Sequence, residues 1–135
     1  MSTRRHEWPE LLAAYVAERR RAPFEWGTHD CCKFAAGAVE AITGENPMHA
    51  IHYTNEIGAL RLIAEAGGQL ESLVTAFIGQ PLPTIAQAKR GDVVLSDLGN
   101  GPTVGVCLGA TSAYAAPVGL LMHPTAHARL AWRIG

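Results

Sequence analysis

Asp30-Cys31-Cys32-Lys33-Phe34-Ala35-Ala36-Gly37-Ala38-Val39-Glu40-Ala41-Ile42-Thr43-Gly44 reads as one buried helix with its two ends marked. Phe34, Ala35, Ala38, Val39 and Ile42 recur at the three- and four-residue spacing of a single helix face. Asp30 suits the N-cap, and Gly44 suits the C-terminal end. Cys31 lies three and four residues before Phe34 and Ala35, so it shares the buried face in the first turn. Ala35, Ala36, Gly37 and Ala38 are small enough to let neighbouring elements approach this helix closely.

Upstream, a helix is expected from near Trp8-Pro9, since Pro9 suits its first position and Glu10 its first turn. Leu11, Leu12, Tyr15 and Val16 form its apolar stripe, and Pro23 ends it at the latest. Downstream, a helix is expected from about Thr54 to Gly67-Gly68 with Ile57, Leu60 and Ala64 inward. Another is expected from about Gln69 to Ile78 with Leu70, Leu73, Val74 and Phe77 inward. Gly79-Gln80-Pro81-Leu82-Pro83 is a rigid, non-helical joint. Arg90-Gly91-Asp92 reads as a turn, followed by strands at Asp92–Ser96 and Thr103–Leu108 with the loop Gly99-Asn100-Gly101-Pro102 between them. Weaker strands are expected at Ser112–Ala116, Gly119–His123 and Ala128–Ile134. In the last, Leu130, Trp132 and Ile134 alternate with Arg129, Ala131 and Arg133, as in a half-buried strand. Helices followed by consecutive strands give an α+β fold. A single domain over residues 1–135 is expected, with a helical part at about 8–79 and a strand part at about 90–134.

The 135 residues, 48% of them hydrophobic, suit one ordinary core. A formal net charge of −1 argues against a nucleic-acid-binding domain, which is normally basic. The basic run Arg19-Arg20-Arg21, with Arg4-Arg5 upstream, reads as a solvated helix C-terminus that complements the helix dipole. No stretch approaches the roughly 20 apolar residues of a membrane span. The N-terminus lacks an apolar signal core, since Glu7, Pro9 and Glu10 interrupt it, so folding in a cytoplasm is expected. Three cysteines, Cys31, Cys32 and Cys107, point to free thiols and no disulfide framework.

Cys31 is the candidate nucleophile. Unpaired N–H groups at a helix start stabilise a thiolate and serve as an oxyanion hole. The bland alternative is a small buried core residue, as is expected for Cys32 and Cys107. A zinc set of His29, Cys31, Cys32 and Cys107 lacks the usual two-residue spacing of paired cysteines, and no metal or cofactor is expected. Trp26-Gly27 reads as a packed aromatic beside a tight turn.

Asp30-Cys31-Cys32-Lys33-Phe34 resembles the Asp-Cys-x-x-Phe motif of NlpC-type peptidases, papain-like enzymes that hydrolyse peptide bonds of bacterial cell-wall peptidoglycan. Arg90-Gly91-Asp92-Val93-Val94-Leu95 resembles their Pro-Gly-Asp-leading strand. Thr103-Val104-Gly105-Val106-Cys107-Leu108-Gly109 resembles their His-Val-Gly-Ile-Tyr-x-Gly strand. More closely, the chain resembles a subgroup from phage tail gene clusters. The shared features are Phe24-Glu25-Trp26-Gly27, Asp30-Cys31, Thr43-Gly44, Gly67-Gly68, Gly91-Asp92-Val93-Val94, Val104-Gly105-Val106-Cys107 and Ala131-Trp132-Arg133-Ile134. The resemblance spans residues 8–134 and implies helices packed on an antiparallel sheet of about five strands.

The resemblance places Thr103 where the family keeps its catalytic histidine, and a threonine is no general base near neutral pH. At the third position Tyr114 or Ser112 stands in place of an acid, amide or histidine. His29, His123, His49 and His52 are substitute bases that the spacing leaves open. Two functions follow as expectations. One is a tail-tip or baseplate assembly protein that keeps the fold without the chemistry, with other tail-tip proteins as partners. The other is an active peptidoglycan peptidase using Cys31 and a non-standard histidine during infection; an amidase or acyltransferase is a weaker third. The expected location is the host bacterial cytoplasm during assembly and then the virion tail.

Overall fold

A computed structural model describes residues 3–99, 101–117 and 119–135, so Asn100 of the expected Gly99–Pro102 loop lies outside the described residues. Helices α1 (Trp8–Arg19), α2 (Cys31–Thr43), α3 (Glu56–Glu65) and α4 (Leu70–Ile78) precede strands β1 (Val93–Asp97), β2 (Pro102–Cys107), β3 (Thr111–Ala116), β4 (Gly119–Pro124) and β5 (Leu130–Trp132). Short 3-10 turns at Ile85–Gln87 and Thr125–His127 were not expected from the sequence. The strands form one antiparallel sheet in the order β4-β3-β2-β1-β5. The fold is α+β, with the N-terminal helices packed on the sheet.

Leu12 and Val16 of α1 meet the Phe34, Ala35, Ala38, Val39 and Ile42 face of α2. That layer covers Val93, Leu95, Val104, Val106 and Trp132 of the sheet, and Leu70, Leu73 and Val74 of α4 complete it. The reverse face is covered as well: Val94, Cys107, Tyr114 and Ala131 pack under Leu82, Ile85 and Ala88. Burial on both faces explains why β1 and β2 read as nearly continuous apolar runs. It also corrects β5. Only three residues pair, and Ala131, expected on an open face, is buried where its carbonyl accepts from the Leu82 N–H at 2.7 Å.

In α3, Ile57 is 62% and Leu60 56% exposed, and Ala64 is exposed too. Ala59, Leu62 and Ile63 turn inward instead. The helix carries two apolar stripes. Asn55 starts it, its Oδ1 accepting from the Gly58 N–H at 2.9 Å, and packing against α4 takes the stripe with Leu62 and Ile63 side by side.

Arg4 departs from the solvated basic reading. Its Nε donates to the Ile134 carbonyl at 2.7 Å, Nη1 to the Arg90 carbonyl at 2.7 Å, and Nη2 to Asp92 Oδ1 at 3.0 Å. Asp92, fully buried, also accepts from Arg133 Nε at 3.1 Å and from the Lys89 and Ile134 N–H groups. The turn Arg90-Gly91-Asp92 is therefore the anchor point of both ends of the described chain.

Candidate functional site

Asp30 organises the start of α2. One carboxylate oxygen accepts from the Lys33 N–H at 2.9 Å, which caps the helix. The other accepts from the Gly27 N–H at 2.9 Å and the Tyr53 hydroxyl at 2.7 Å. Gly27 sits at φ +89°, and a Cβ there would overlap the Tyr53 carbonyl, so glycine is required on both counts. The long loop after α2 thus folds back onto its first turn, and Lys33 Nζ fixes it further by donating to the Ile51 carbonyl at 2.5 Å. Burial and the bond to Asp30 push the Tyr53 phenol far above its ordinary range, so it stays protonated and donating.

Cys31 occupies the first helical position and Cys32 the second, both free and partly exposed. The neighbouring Cys32 thiol is the largest cause holding the Cys31 thiol below its ordinary value. Burial and the Asp30 charge oppose the shift, while the N–H groups of Val104 and Cys32 add to it. The Cys31 neighbour and burial push Cys32 well up. Val104 has the free side needed for this role, because β3 pairs with β2 only at Val106 and Cys107.

Thr103 precedes Val104 and faces Ser96 of β1 across the ladder, with Oγ1 donating to the Gly101 carbonyl at 3.4 Å. Val104 and Val106 face α2, so strand alternation turns Thr103, Gly105 and Cys107 toward the reverse face. Tyr114 lies on that reverse face. Its ring crosses Gly105, where a Cβ would overlap it, and its hydroxyl meets Ser96 Oγ at 2.6 Å. Burial raises its phenol, so Tyr114 is a structural donor or acceptor and no base. Ser112 bonds Thr125 Oγ1 at 2.8 Å on the same side.

The substitute histidines are scattered. His29 is 3% exposed, packed edge-on against Phe34, and neither ring nitrogen has a partner. His123 pairs in register with Ser112 and lies beside His127, with two strands between it and β1. His49 and His52 are exposed on the loop, the former reaching the Asn46 carbonyl. Among the described residues, no histidine nitrogen is hydrogen-bonded to the Cys31 sulfur. The zinc set fails too: Cys107 is buried on the reverse side of the sheet, bonded to Gly109 and Thr125. No group of three or more metal-ligating side chains gathers among the described residues.

Both cysteines open onto a cleft of about 640 Å³. Trp26, Asp30 and Tyr53 line one side, and Leu60, Ile63 and Leu70 of α3 and α4 the other. At its mouth Arg129 Nη1 lies 3.6 Å from Glu71 Oε1. Sequence reasoning missed Tyr53, Glu71 and Arg129. Tyr53 stands in an unpatterned loop, and the other two meet across 58 positions of chain, so only the third dimension brings them together. Among the described residues, no helix is long and apolar enough to cross a membrane.

Residues 3–134 match a family described as a domain of unknown function (DUF6950). No curated protein matches the chain.

Proposed function

This chain belongs to the DUF6950 family, and we propose that it is a phage tail-tip or baseplate assembly protein that keeps a papain-like, NlpC-type fold without its hydrolytic chemistry. The observation that carries this reading is the company of Cys31. No histidine nitrogen is hydrogen-bonded to its sulfur among the described residues, and Thr103, which the resemblance puts at the base position, lies on a strand position turned to the reverse face. Cysteine nucleophiles in hydrolases act with an adjacent base. Exposed Ile57, Leu60, Leu121 and Met122 and a charged fraction of only 17% suit burial against neighbouring tail proteins, since charge is depleted at interface cores. The partners are other tail-tip subunits, met in the host bacterial cytoplasm before the particle is complete.

The test is Cys31→Ala in a phage or particle that carries this gene, beside a deletion. Assembly and infection that survive the substitution but not the deletion support the reading. Loss of infection or of peptidoglycan cleavage with intact assembly defeats it.

A second reading is an active peptidoglycan peptidase. One observation favours it: the Cys31 thiol is held below its ordinary value at the wall of an open cleft. Release of peptide fragments from purified peptidoglycan by the wild type, abolished by Cys31→Ala, establishes it. Thr103→His probes both readings. From the strand position that alternation turns to the reverse face, an imidazole should leave the Cys31 iodoacetamide rate against pH unmoved, and a shift to lower pH puts position 103 on the cleft side. An unchanged profile in a folded variant shows that position 103 is not beside the sulfur.

A further inference from the structure

Cys31 and Cys32 are free, hold the first two positions of α2 side by side, and line the same open cleft. The third cysteine, Cys107, is fully buried behind the sheet and takes no part. The Cys31 thiol is also held below its ordinary value, with the neighbouring Cys32 thiol as the largest cause, which favours the reactive thiolate. A reactive, accessible thiolate with a second thiol beside it is the arrangement of reversible cysteine oxidation.

We propose that Cys31 and Cys32 form a hydroperoxide-responsive dithiol switch, in which Cys31 is oxidised first and Cys32 resolves it as a vicinal disulfide. In the first step the Cys31 thiolate attacks the terminal oxygen of a hydroperoxide. A sulfur–oxygen bond forms, the oxygen–oxygen bond breaks, and the alkoxide leaves and takes a proton from water. In the second step the Cys32 thiol gives its proton to solvent and its sulfur attacks the sulfenic sulfur of Cys31. A sulfur–sulfur bond forms, and hydroxide leaves and is protonated to water. Two thiols lose two electrons in all, and one hydroperoxide becomes an alcohol and water.

The fold gives this disulfide a structural consequence. Adjacent Cα atoms lie about 3.8 Å apart, closer than ordinary disulfides allow. Both residues hold helical backbone in the intact α2. Closing the small ring therefore unwinds the first turn and loosens the Lys33 N–H from Asp30. A strained bond of this kind is readily reduced by thiols, so the switch resets. The oxidised state removes the Cys31 thiolate from the cleft and protects it from irreversible oxidation.

The experiment treats the full chain with a stoichiometric amount of hydrogen peroxide and follows intact mass, free thiols and a peptide map. The expected wild-type product has lost two hydrogens and two of its three thiols, joins Cys31 to Cys32, and is restored by dithiothreitol. Cys32→Ser should instead hold Cys31 as a dimedone-reactive sulfenic acid that goes on to add further oxygen, beyond rescue by dithiothreitol. Wild-type protein that accumulates oxygen on Cys31 while Cys32 still alkylates overturns the proposal. So do disulfide-linked dimers or oxidation at Cys107. The wild-type mass decides alone if Cys32→Ser fails to fold.

Discussion

Two aspartates, Asp30 and Asp92, are buried to almost the same degree, 1% and 0% exposed, yet they solve the problem of a buried charge in different ways. Asp30 is met only by neutral donors: two backbone N–H groups and the Tyr53 hydroxyl. Asp92 is met by two guanidinium groups, Arg4 and Arg133, together with the Lys89 and Ile134 N–H groups. The first arrangement leaves the Asp30 charge uncompensated one residue from Cys31, where it works against the thiolate. The second cancels charge and ties distant segments together. The difference separates an aspartate that shapes a site from one that holds a fold.

Asp92→Ala breaks the comparison most severely. It strands Arg4 and Arg133 against the core, and removing one partner of a buried ion pair typically costs roughly 3 to 5 kcal/mol. About 3 kcal/mol is expected here, because Arg133 stays partly solvated, and the urea midpoint reads it. Asp30→Ala comes next, at about 2 kcal/mol, from a lost N-cap and a Tyr53 hydroxyl left without its acceptor. Asp30→Asn sharpens the contrast: the cap persists, the charge goes, and the Cys31 alkylation profile shifts to lower pH. An unmoved profile means that Asp30 does not act on the sulfur. Tyr53→Phe removes a single donor and should cost about 1 kcal/mol.

The smallest effect is a pH slope. Burial, with Arg19 nearby, holds the His29 imidazole below its ordinary value of 6.5, while the Asp30 charge opposes the shift. The unfolded chain therefore binds a proton first as pH falls through about 6.5, and stability drops until the folded state protonates too. Above that window His29 is neutral in both states and contributes no slope. His29→Phe should flatten the slope between neutrality and mild acid; a wild-type slope that persists in the variant assigns it to other groups.

The legibility of the chain followed the range of the interactions. α2 was readable in full because its cap, its apolar face and its terminal glycine all lie within fifteen residues of sequence. The α+β order and the five strands were readable for the same local reason. The inward face of α3 was not, since Ile57 and Leu60 compete with Leu62 and Ile63 and only α4 decides between them. Arg4 looked like surface charge because its carboxylate lies 88 positions away. At the candidate site the position of Cys31 in a first turn beside Cys32 was legible, whereas the approach of Val104 and of the Tyr53 hydroxyl comes from packing. Tyr114 was singled out as a third-position group. Gly105 lets its ring cross to Ser96, a side-chain direction that no spacing encodes.

The Arg4 clasp also has a mechanical meaning. Residues 4 and 134 are joined directly by a hydrogen bond, so a pull applied at these two points does not first load the helices or the sheet. Such a load falls on the side-chain bonds of Arg4 and Arg133 to Asp92. The next residue, Arg5, is tied by its N–H to the Ile42 carbonyl near the end of α2, so the same segment also meets the helix layer. The clasp is a latch between the two ends of the described chain, set apart from the cysteine cleft.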